Sequence, residues 1–295
     1  MARTRTSRRI WLQRSAWVVA GSVLVPCAAR SAAEEKPAAR LGLLTDVHHA
    51  DKAPSGTRYY RESLSKMAQA VSWFRDRQVD CLVELGDVID SAPDLETEKA
   101  YLRRVWQALG AGGTCYPVLG NHCVSALAKP EFLEITARAR SYYAFDLAGF
   151  HFVVLDACFR KDGESYGRSN FQWTDANIPA AELNWLAADL RHTPHSCIVF
   201  VHQRLDAEPP YGIGNAAEVR RVLESSGKVL AVFQGHYHPG AYSQLQGIHY
   251  CTLAAMIEGS GPQNNAYAML EMWPGGTLRL SGQHRQESYH WPRLS

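Results

Sequence analysis

Blocks of acidic, histidine and asparagine residues stand directly after strand-like apolar runs in this chain, and this arrangement constrains its fold more than any other feature. Short apolar runs bounded by turn residues are typical of buried strands. In α/β proteins, ligand-binding loops gather outside the carboxyl ends of the strands. We therefore expect five separated blocks to converge on one site: Asp46-Val47-His48, Gly86-Asp87-Val88-Ile89-Asp90, Gly120-Asn121-His122, Val201-His202 and Gly235-His236-Tyr237-His238.

The order of the predicted elements indicates an α/β fold. Strands and helices alternate up to a hairpin at Ala148-Gly149, and the region from Ala241 to Leu280 has the pattern of successive β-strands. This order predicts two mixed β-sheets packed together with helices outside. The predicted strands are Leu41–Thr45, Cys81–Leu85, Tyr116–Leu119, Tyr142–Leu147, Phe150–Leu155, Ile198–Val201 and Val229–Gln234; the predicted helices are Arg58–Arg77, Glu96–Leu109, Pro130–Arg140, Ala180–Leu190 and Ala216–Glu224.

The charge of the chain is divided unevenly between its amino terminus and the rest. Residues 1–33 hold six arginines and no acid, which leaves 25 basic against 29 acidic residues from Glu34 onward. A mildly acidic body lacks the basic surface of a nucleic-acid-binding protein, so no nucleic-acid partner is expected. The hydrophobic content of 46% is that of a globular protein and argues against disorder.

The amino terminus has the features of an export signal. Ser7-Arg8-Arg9-Ile10-Trp11-Leu12-Gln13 is a twin-arginine pattern, followed by an apolar run from Ala16 to Val25 and the small residues Ser31-Ala32-Ala33. We predict a twin-arginine-type signal peptide at 1–33, a linker at 34–39 and one domain at 40–295. This predicts a periplasmic or extracellular protein, a partner in the twin-arginine export machinery and no transmembrane span in the mature form, because the apolar run is short.

Three other interpretations of the amino terminus remain open. It could be a plain secretory signal or an uncleaved interfacial anchor. A lipoprotein signal would use Cys27, although Pro26 stands where a small residue is preferred.

The residue types in the five blocks are suited to two divalent cations. Imidazole, carboxylate and amide oxygen together suit manganese, iron, zinc or cobalt better than calcium or copper(I). A carboxylate between two such ions can bridge them and hold a metal-bound hydroxide that attacks a phosphoryl group. Glycines precede Asp87, Asn121 and His236, where they permit tight turns near the metals.

This series resembles the calcineurin-like metallophosphoesterase family, whose pattern is D-x-H, G-D-x-x-D, G-N-H-[DE], a lone H and G-H-x-H. The resemblance implies a four-layer αββα sandwich. It implies that Asp46, His48 and His238 hold one metal, that Asn121, His202 and His236 hold the other, and that Asp87 bridges them. It also implies that His122 stabilises the transition state or protonates the leaving group, oriented by Asp90. The chain departs from the pattern at Cys123, where the family has an acid, and this puts the tuning of His122 in question.

A second resemblance covers more of the chain. Thr57–Leu64, Leu183–Leu186 and Gly235–Glu258 are similar to the manganese-dependent ADP-ribose/CDP-alcohol diphosphatase branch of that family. This resemblance implies a metal-dependent hydrolase of a phosphodiester or nucleotide-linked pyrophosphate, with two divalent ions that are manganese, or alternatively iron or zinc. The purple acid phosphatase branch is disfavoured, because Val88 stands where its tyrosine ligand would follow the G-D block.

Several residues have a functional and a structural interpretation. Arg58, Tyr60 and Arg61 could bind substrate, or they could be the exposed arginines and amphipathic start of a helix. The long loop Lys161–Pro179 could be a lid, a specificity element or disordered. The cysteines in apolar runs are expected to behave as small buried residues, and whether any of them form disulfides is left open. The sequence contains no Cys-x-x-Cys pair, so a thiolate zinc site is not expected.

Two alternative functions follow from these observations. An exported broad-specificity phosphomonoesterase would use the same ligand set to scavenge phosphate. A non-catalytic metal- or phosphate-binding protein would retain the ligands but lack turnover, an alternative that Cys123 suggests. Hydrolysis of any phosphoester by the metal-loaded protein separates an enzyme from this last class.

Overall fold

The computed structural model describes residues 36–292, and the strands in this range form two six-stranded sheets. The first sheet has the order β12-β11-β10-β1-β2-β3 and the second β4-β5-β6-β7-β9-β8. The predicted signal peptide, with its twin-arginine motif and Cys27, lies outside the described residues. The strands are β1 Ala39–Leu44, β2 Cys81–Glu84, β3 Cys115–Pro117, β4 Tyr143–Leu147, β5 Phe150–Val154, β6 Ser196–Phe200, β7 Val229–Gln234, β8 Ala241–Leu245, β9 Ile248–Thr252, β10 Ala266–Met272, β11 Leu278–His284 and β12 Tyr289–Trp291.

Within residues 36–292, five α-helices cover the outer faces of the sheets. Their bounds are α1 Ser63–Asp76, α2 Leu95–Gly110, α3 Lys129–Ile135, α4 Ala180–His192 and α5 Ala216–Ser226, and short 3₁₀ turns occupy Tyr60–Glu62, Asn121–Val124 and Pro262–Asn264. The sequence placed the start of α1 too early, because the first turn before Ser63 is 3₁₀. It placed the end of α3 too late, because Ala137 has a left-handed φ of 53° two residues beyond the helix.

The alternation of apolar side chains along the strands creates the layers. On β6, Ile198 and Phe200 face the core between the sheets, whereas Cys197 and Val199 pack under α4 and α5. Successive strand residues point to opposite faces, so a strand that is apolar throughout supplies two cores at once. A third core lies between the first sheet and helices α1, α2 and α3. The predicted α/β fold, with two mixed sheets between outer helices, is confirmed.

Parallel pairing brings the carboxyl ends of three strands together at one edge of each sheet. β1 pairs in parallel with β2 and β2 with β3 in the first sheet, and β5, β6 and β7 are parallel in the second. Every block of polar residues identified in the sequence directly follows one of these strands. Residues 36–292 contain no helix with the length and apolar character needed to span a bilayer.

Candidate metal centre

Backbone hydrogen bonds join the loops that follow β1 and β2. The amide of Asp46 donates to the carbonyl of Gly86 at 3.0 Å, and the amide of His48 donates to the carbonyl of Asp87 at 2.8 Å. These two bonds continue the parallel ladder past the ends of the strands. The side chains of Asp46, His48 and Asp87 therefore start from a fixed backbone, as a precise ligand set requires.

Four polar residues of the blocks have a left-handed backbone conformation. The φ angles are 51° at Asp46, 44° at His48, 56° at Asp87 and 67° at His236. A non-glycine residue in this region costs free energy, and such residues concentrate at functional sites whose surroundings hold them in place.

Two glycines allow the loops to approach each other more closely than any side chain would permit. A Cβ atom at Gly120 would lie 2.3 Å from Oδ1 of Asp87, and one at Gly235 would lie 2.1 Å from Oγ1 of Thr45. Both positions require glycine for space, since real Cβ contacts are never that short. The sequence analysis predicted that glycines before Asn121 and His236 permit tight turns. The structure shows that glycine is needed at both positions because a neighbouring loop lies too close for a side chain.

Asp46, His48 and His238 form the first group of converging ligand atoms. Oδ1 of Asp46 lies 3.5 Å from Nε2 of His48 and 3.4 Å from Nε2 of His238. All three ligand atoms lie within 4.8 Å of one another, which is close enough for one metal ion to contact them all. This is the set that the sequence assigned to one metal.

Asp87, His202 and His236 form a second group within the same distance limit. Oδ2 of Asp87 lies 3.0 Å from Nε2 of His202 and 3.7 Å from Nε2 of His48, so this carboxylate stands between the two groups. Asn121, the other predicted ligand, lines one cavity together with Asp87 and His236. The arrangement places Asp87 where a bridging ligand would stand.

The hydrogen-bonding state of these side chains fits metal ions. Buried polar atoms are almost always paired, because an unpaired one costs about 1–3 kcal/mol. Five buried ligand atoms nevertheless have no hydrogen-bond partner among residues 36–292: Asp46 Oδ1, His48 Nε2, Asn121 Oδ1, His202 Nε2 and His236 Nε2. Unpaired nitrogen and oxygen atoms that face each other across a few ångströms are what two divalent cations would satisfy.

Outer hydrogen bonds orient three of the histidine rings. Nδ1 of His48 lies 3.2 Å from Oδ2 of Asp90, Nδ1 of His202 lies 2.8 Å from the carbonyl of Leu85, and Nδ1 of His238 lies 2.5 Å from Oε1 of Glu258. In each ring, Nδ1 is engaged and Nε2 is directed to the ligand group. Such partners fix the tautomer and the orientation of metal-binding histidines.

The carboxylates of the site are held in their charged form. Burial opposes this, but contacts from His238 and His48 keep the pKa of Asp46 well below its usual value, and His202 and His122 lower the pKa of Asp87. Burial also opposes ionisation of Asp90, whose pKa His122 and His48 lower. The site therefore contains three charged carboxylates.

The histidines differ in their readiness to bind a metal. Burial, reinforced by the charge of His202, lowers the pKa of His236 to about 3, so its imidazole is neutral. Burial would also lower the pKa of His238, but Asp46 and Glu258 outweigh it and raise the value to about 9. The pKa values of His48 and His202 are raised by neighbouring aspartates against the effect of burial. These three rings must lose a proton before a metal binds.

His122 stands at the edge of the group rather than inside it. Its side chain is 32% exposed and its Nδ1 lies 3.4 Å from Oδ1 of Asp90. Its ring meets the ring of His48 edge-on, at 4.6 Å between centroids. Asp90 therefore contacts both His48 and His122, whereas the sequence had paired it with His122 alone. Lys52 also donates to Asp90 at 2.8 Å.

A cavity of about 380 Å³ exposes the centre to solvent. Arg58, one of the three predicted substrate-binding residues, lines this cavity. The structure does not bring Tyr60 and Arg61 into it. Tyr60 is buried with Ala50, Ala255 and Ile257, and the Arg61 side chain pairs with Asp51 at the surface. For these two residues, the start-of-helix interpretation fits the structure.

Two aromatic residues line the cavity that sequence reasoning did not assign to the site. Trp173 comes from the long loop Lys161–Pro179, and Tyr211 from the loop before α5; their ring centroids lie 5.8 Å apart. Elsewhere in the loop, Tyr166 is buried and stacks on Phe171 at 4.2 Å. The loop is thus anchored on the body of the protein and brings Trp173 to the centre.

Glu258 is the functional side chain that sequence reasoning missed although a signal was present. It directly follows the apolar run Leu253–Ile257, as the recognised blocks follow theirs. Its carboxylate contacts His238, and burial only partly offsets this contact, so the pKa of Glu258 falls to about 2. A rule that examined every polar residue after an apolar run would have found it.

The six cysteines of the described range are all buried and unbonded to one another. Cys123 is fully buried, and its amide donates to the carbonyl of Gly120 at 3.1 Å. Burial raises the pKa of its thiol, so the side chain is neutral where an acid would be charged. It therefore packs behind the site as a small apolar residue.

Comparison with known proteins agrees with this geometry. The family profile described as Calcineurin-like phosphoesterase matches residues 39–240, a range that contains all five blocks. Curated relatives include proteins named manganese-dependent ADP-ribose/CDP-alcohol diphosphatase from Arabidopsis thaliana and Danio rerio. The first is 24% identical over 87% of this chain and 97% of the relative, and the second 26% identical over 86% and 98%.

Solved structures show the same fold. A dimetal phosphatase from Danio rerio superposes with a TM-score of 0.75 at 23% identity, covering 86% of this chain and 99% of that one. Yellow lupin purple acid phosphatase PPD1 has a TM-score of 0.53 at 14% identity, covering 85% of this chain and 52% of the lupin protein.

Proposed function

This chain belongs to the calcineurin-like phosphoesterase family, and on that premise we propose that it cleaves the diphosphate bond of a nucleotide-linked substrate. Membership makes it a hydrolase of phosphate esters that works with two divalent metal ions. The observation that carries the proposal is the cluster of buried ligand atoms without hydrogen-bond partners, at the floor of a cavity of about 380 Å³. The names and full-length coverage of the relatives support the substrate class and manganese.

The chain's own residues have distinct tasks in this reaction. Asp46, His48 and His238 would hold one ion; Asn121, His202 and His236 would hold the other, with Asp87 between them. When bound, the two ions supply a water acidic enough to attack at neutral pH and offset the charge that develops on the phosphoryl group.

His122 and Arg58 would act on the substrate directly. Asp90 holds Nδ1 of His122 and keeps the ring at the cavity wall, so Nε2 can give a proton to the oxygen of the leaving phosphate. Arg58 lines the same wall, where its guanidinium can bind a phosphate oxygen. Water then supplies the oxygen that forms the new bond to phosphorus as the bond to the leaving phosphate breaks.

The proposal is tested by substrate preference. The full chain, loaded with Mn²⁺, is assayed with CDP-choline and ADP-ribose beside p-nitrophenyl phosphate and bis(p-nitrophenyl) phosphate. A clear preference in kcat/KM for the nucleotide diphosphates supports the proposal. Preference for p-nitrophenyl phosphate, with the diphosphates untouched, would make the protein a general phosphomonoesterase. Bound metal without hydrolysis of any of the four would indicate a binding protein.

We also propose that the protein is exported by the twin-arginine route. The support is sequence alone: Arg8-Arg9 before an apolar run and the small residues Ser31-Ala32-Ala33. Twin-arginine export carries folded proteins, which suits an enzyme that acquires its metals in the cytoplasm. Fractionation of cells that express the chain should place activity outside the cytoplasm, and replacing both arginines with lysine should retain it inside. Equal export of the variant would argue for a plain secretory signal.

A further inference from the structure

A second cavity opens beside the metal centre. Its volume is about 520 Å³, and it shares Arg58, Tyr211, His236 and His238 with the cavity over the metal ligands. Beyond these shared residues, its wall includes Arg285, Tyr237 and Glu258. The two cavities therefore adjoin, and a molecule bound at the metal ligands can extend from the first cavity into the second.

The charges in this second cavity favour an anion. Two guanidinium groups, from Arg58 and Arg285, face one carboxylate, from Glu258. That carboxylate is already engaged, since Oε1 lies 2.5 Å from Nδ1 of His238 and 3.9 Å from Nε of Arg58. Among the described residues, the guanidinium of Arg285 makes one hydrogen bond to the main chain, from Nη1 to the carbonyl of Ala255 at 3.1 Å. A guanidinium carries five N–H donors, so this bond leaves most of its capacity for a ligand.

The segment that carries this wall is held rigidly. Nζ of Lys66 donates to the carbonyls of Met256 and Glu258 at 3.0 Å and to the carbonyl of Gly259 at 2.5 Å. Together with the bond from Arg285 to Ala255, these contacts fix the backbone on both sides of Ile257. A rigid wall places its charges before the ligand arrives, which reduces the entropic cost of binding.

We propose that Arg285, together with Arg58, binds the second phosphate of the substrate, the one that leaves when the phosphate at the metals is attacked. Arg285 is then the residue that selects diphosphates over monoesters. This inference rests on the proposed function, because it assigns the two halves of a diphosphate to two adjoining cavities. Tyr211 and Tyr237, whose rings lie 4.9 Å apart, form the wall against which the group attached to the second phosphate lies.

The test compares three variants of the Mn²⁺-loaded full chain. Arg285→Met removes the guanidinium, Arg285→Lys keeps a positive charge, and Arg103→Met is the matched control at an exposed position of α2. A hydrogen bond to a charged group contributes about 1.5–3 kcal/mol, so Arg285→Met should lower kcat/KM for CDP-choline and ADP-ribose at least about tenfold. Hydrolysis of p-nitrophenyl phosphate should stay within about twofold, Arg285→Lys should be intermediate, and Arg103→Met should match the wild type.

A second measurement keeps the inference testable if the wild-type protein cleaves only monoesters. AMP and the non-hydrolysable α,β-methylene-ADP are then compared as competitive inhibitors of p-nitrophenyl phosphate hydrolysis. Arg285→Met should weaken inhibition by the diphosphate analogue at least about tenfold and leave inhibition by AMP unchanged. An equal loss of inhibition for both ligands, or an equal loss of kcat/KM for all substrates, would mean that Arg285 acts only through the fold. No loss in any assay would mean that the second phosphate binds elsewhere.

Discussion

The carboxylate of Glu258 lies 2.5 Å from Nδ1 of His238, and the other nitrogen of that ring lies 3.4 Å from Oδ1 of Asp46. The ring is thus held between a carboxylate on its outer side and a ligand group on its inner side. Glu258 lies 20 residues beyond His238 in the chain, and its backbone is fixed by Lys66. A contact of this kind orients a metal-binding histidine and raises its basicity.

Replacing Glu258 with alanine should weaken metal binding without unfolding the protein. Loss of a carboxylate behind a histidine ligand typically lowers metal affinity about 10–100-fold. We expect Glu258→Ala to need that much more Mn²⁺ for half-maximal activity, with activity recovering at high Mn²⁺. Manganese titrations read by activity and by calorimetry measure this, with Glu134→Ala on the exposed side of α3 as the control. An unchanged titration would show that His238 does not need this partner.

Asp87→Ala should abolish turnover and deplete both metal ions. Asp87 is the carboxylate between the two ligand groups, at 3.0 Å from Nε2 of His202 and 3.7 Å from Nε2 of His48, so its removal takes a charged ligand from both groups. Elemental analysis and an assay with p-nitrophenyl phosphate measure the two effects. Asp76→Ala, at the exposed end of α1, should behave as the wild type. A fully active Asp87→Ala variant would overturn the two-metal assignment.

The residues that could be predicted from the sequence share one physical property. Asp46, Asp87, Asn121, His202 and His236 stand within a few residues of a strand end, so the position of the strand fixes the position of the side chain. The strands themselves were recognisable because both of their faces are apolar, as expected between two cores. Parallel pairing then required the strand ends to meet at one edge of each sheet.

Residues that reach the site from long loops could not be predicted in the same way. Trp173 and Tyr211 belong to segments without helical or strand periodicity, so no pattern in the sequence states which side chain points inward. Tyr60 is the opposite case, because the sequence suggested a place in the site and the structure buries it elsewhere. Its burial depends on Ala255 and Ile257, which lie almost 200 positions away in the chain.

His122→Ala should lower the rate in proportion to the leaving group's need for a proton. General acid catalysis contributes about 10²–10⁴-fold, so kcat for an alkyl ester such as glycerol 3-phosphate, whose alkoxide leaving group is strongly basic, should fall within that range. p-Nitrophenolate leaves without protonation, so hydrolysis of p-nitrophenyl phosphate should lose much less. Metal content should remain that of the wild type, and His290→Ala, at an exposed position of β12, should have no effect. Equal losses of kcat on the alkyl ester and on p-nitrophenyl phosphate would remove the proton-donor role and leave charge stabilisation.

Manganese binding should release protons and strengthen as the pH rises. In the metal-free protein, the pKa of His238 is raised to about 9, and those of His48 and His202 are raised as well. Below these pKa values the rings are protonated, and each proton must leave before the nitrogen can bind a metal. Calorimetry at pH 7 in buffers with different ionisation enthalpies should therefore give different apparent enthalpies, and affinity should increase towards pH 9. Identical enthalpies in all buffers would mean that the rings are already neutral.

Glu84→Gln should remove part of the pH dependence of folding in the metal-free protein. Glu84 is fully buried on β2, and neither of its side-chain oxygens has a hydrogen-bond partner among residues 36–292. Burial, with Asp46 and Asp87 nearby, raises the pKa of this carboxyl well above its usual value. Between the unfolded and folded pKa values, the folded state keeps a proton that the unfolded state releases, so the free energy of unfolding falls as the pH rises.

The glutamine side chain cannot ionise and is close to glutamic acid in shape, so the variant should match the wild type near pH 4.5 and exceed it increasingly towards pH 8. Urea unfolding in the presence of EDTA at pH 4.5, 6 and 8 measures this difference. A residual slope is expected, because the pKa of Glu182 is raised by burial in the same direction. Glu134→Gln, on the exposed side of α3, should run parallel to the wild type at every pH. If Glu84→Gln also ran parallel, Glu84 would have to be ionised in the folded protein, with its charge compensated inside the core.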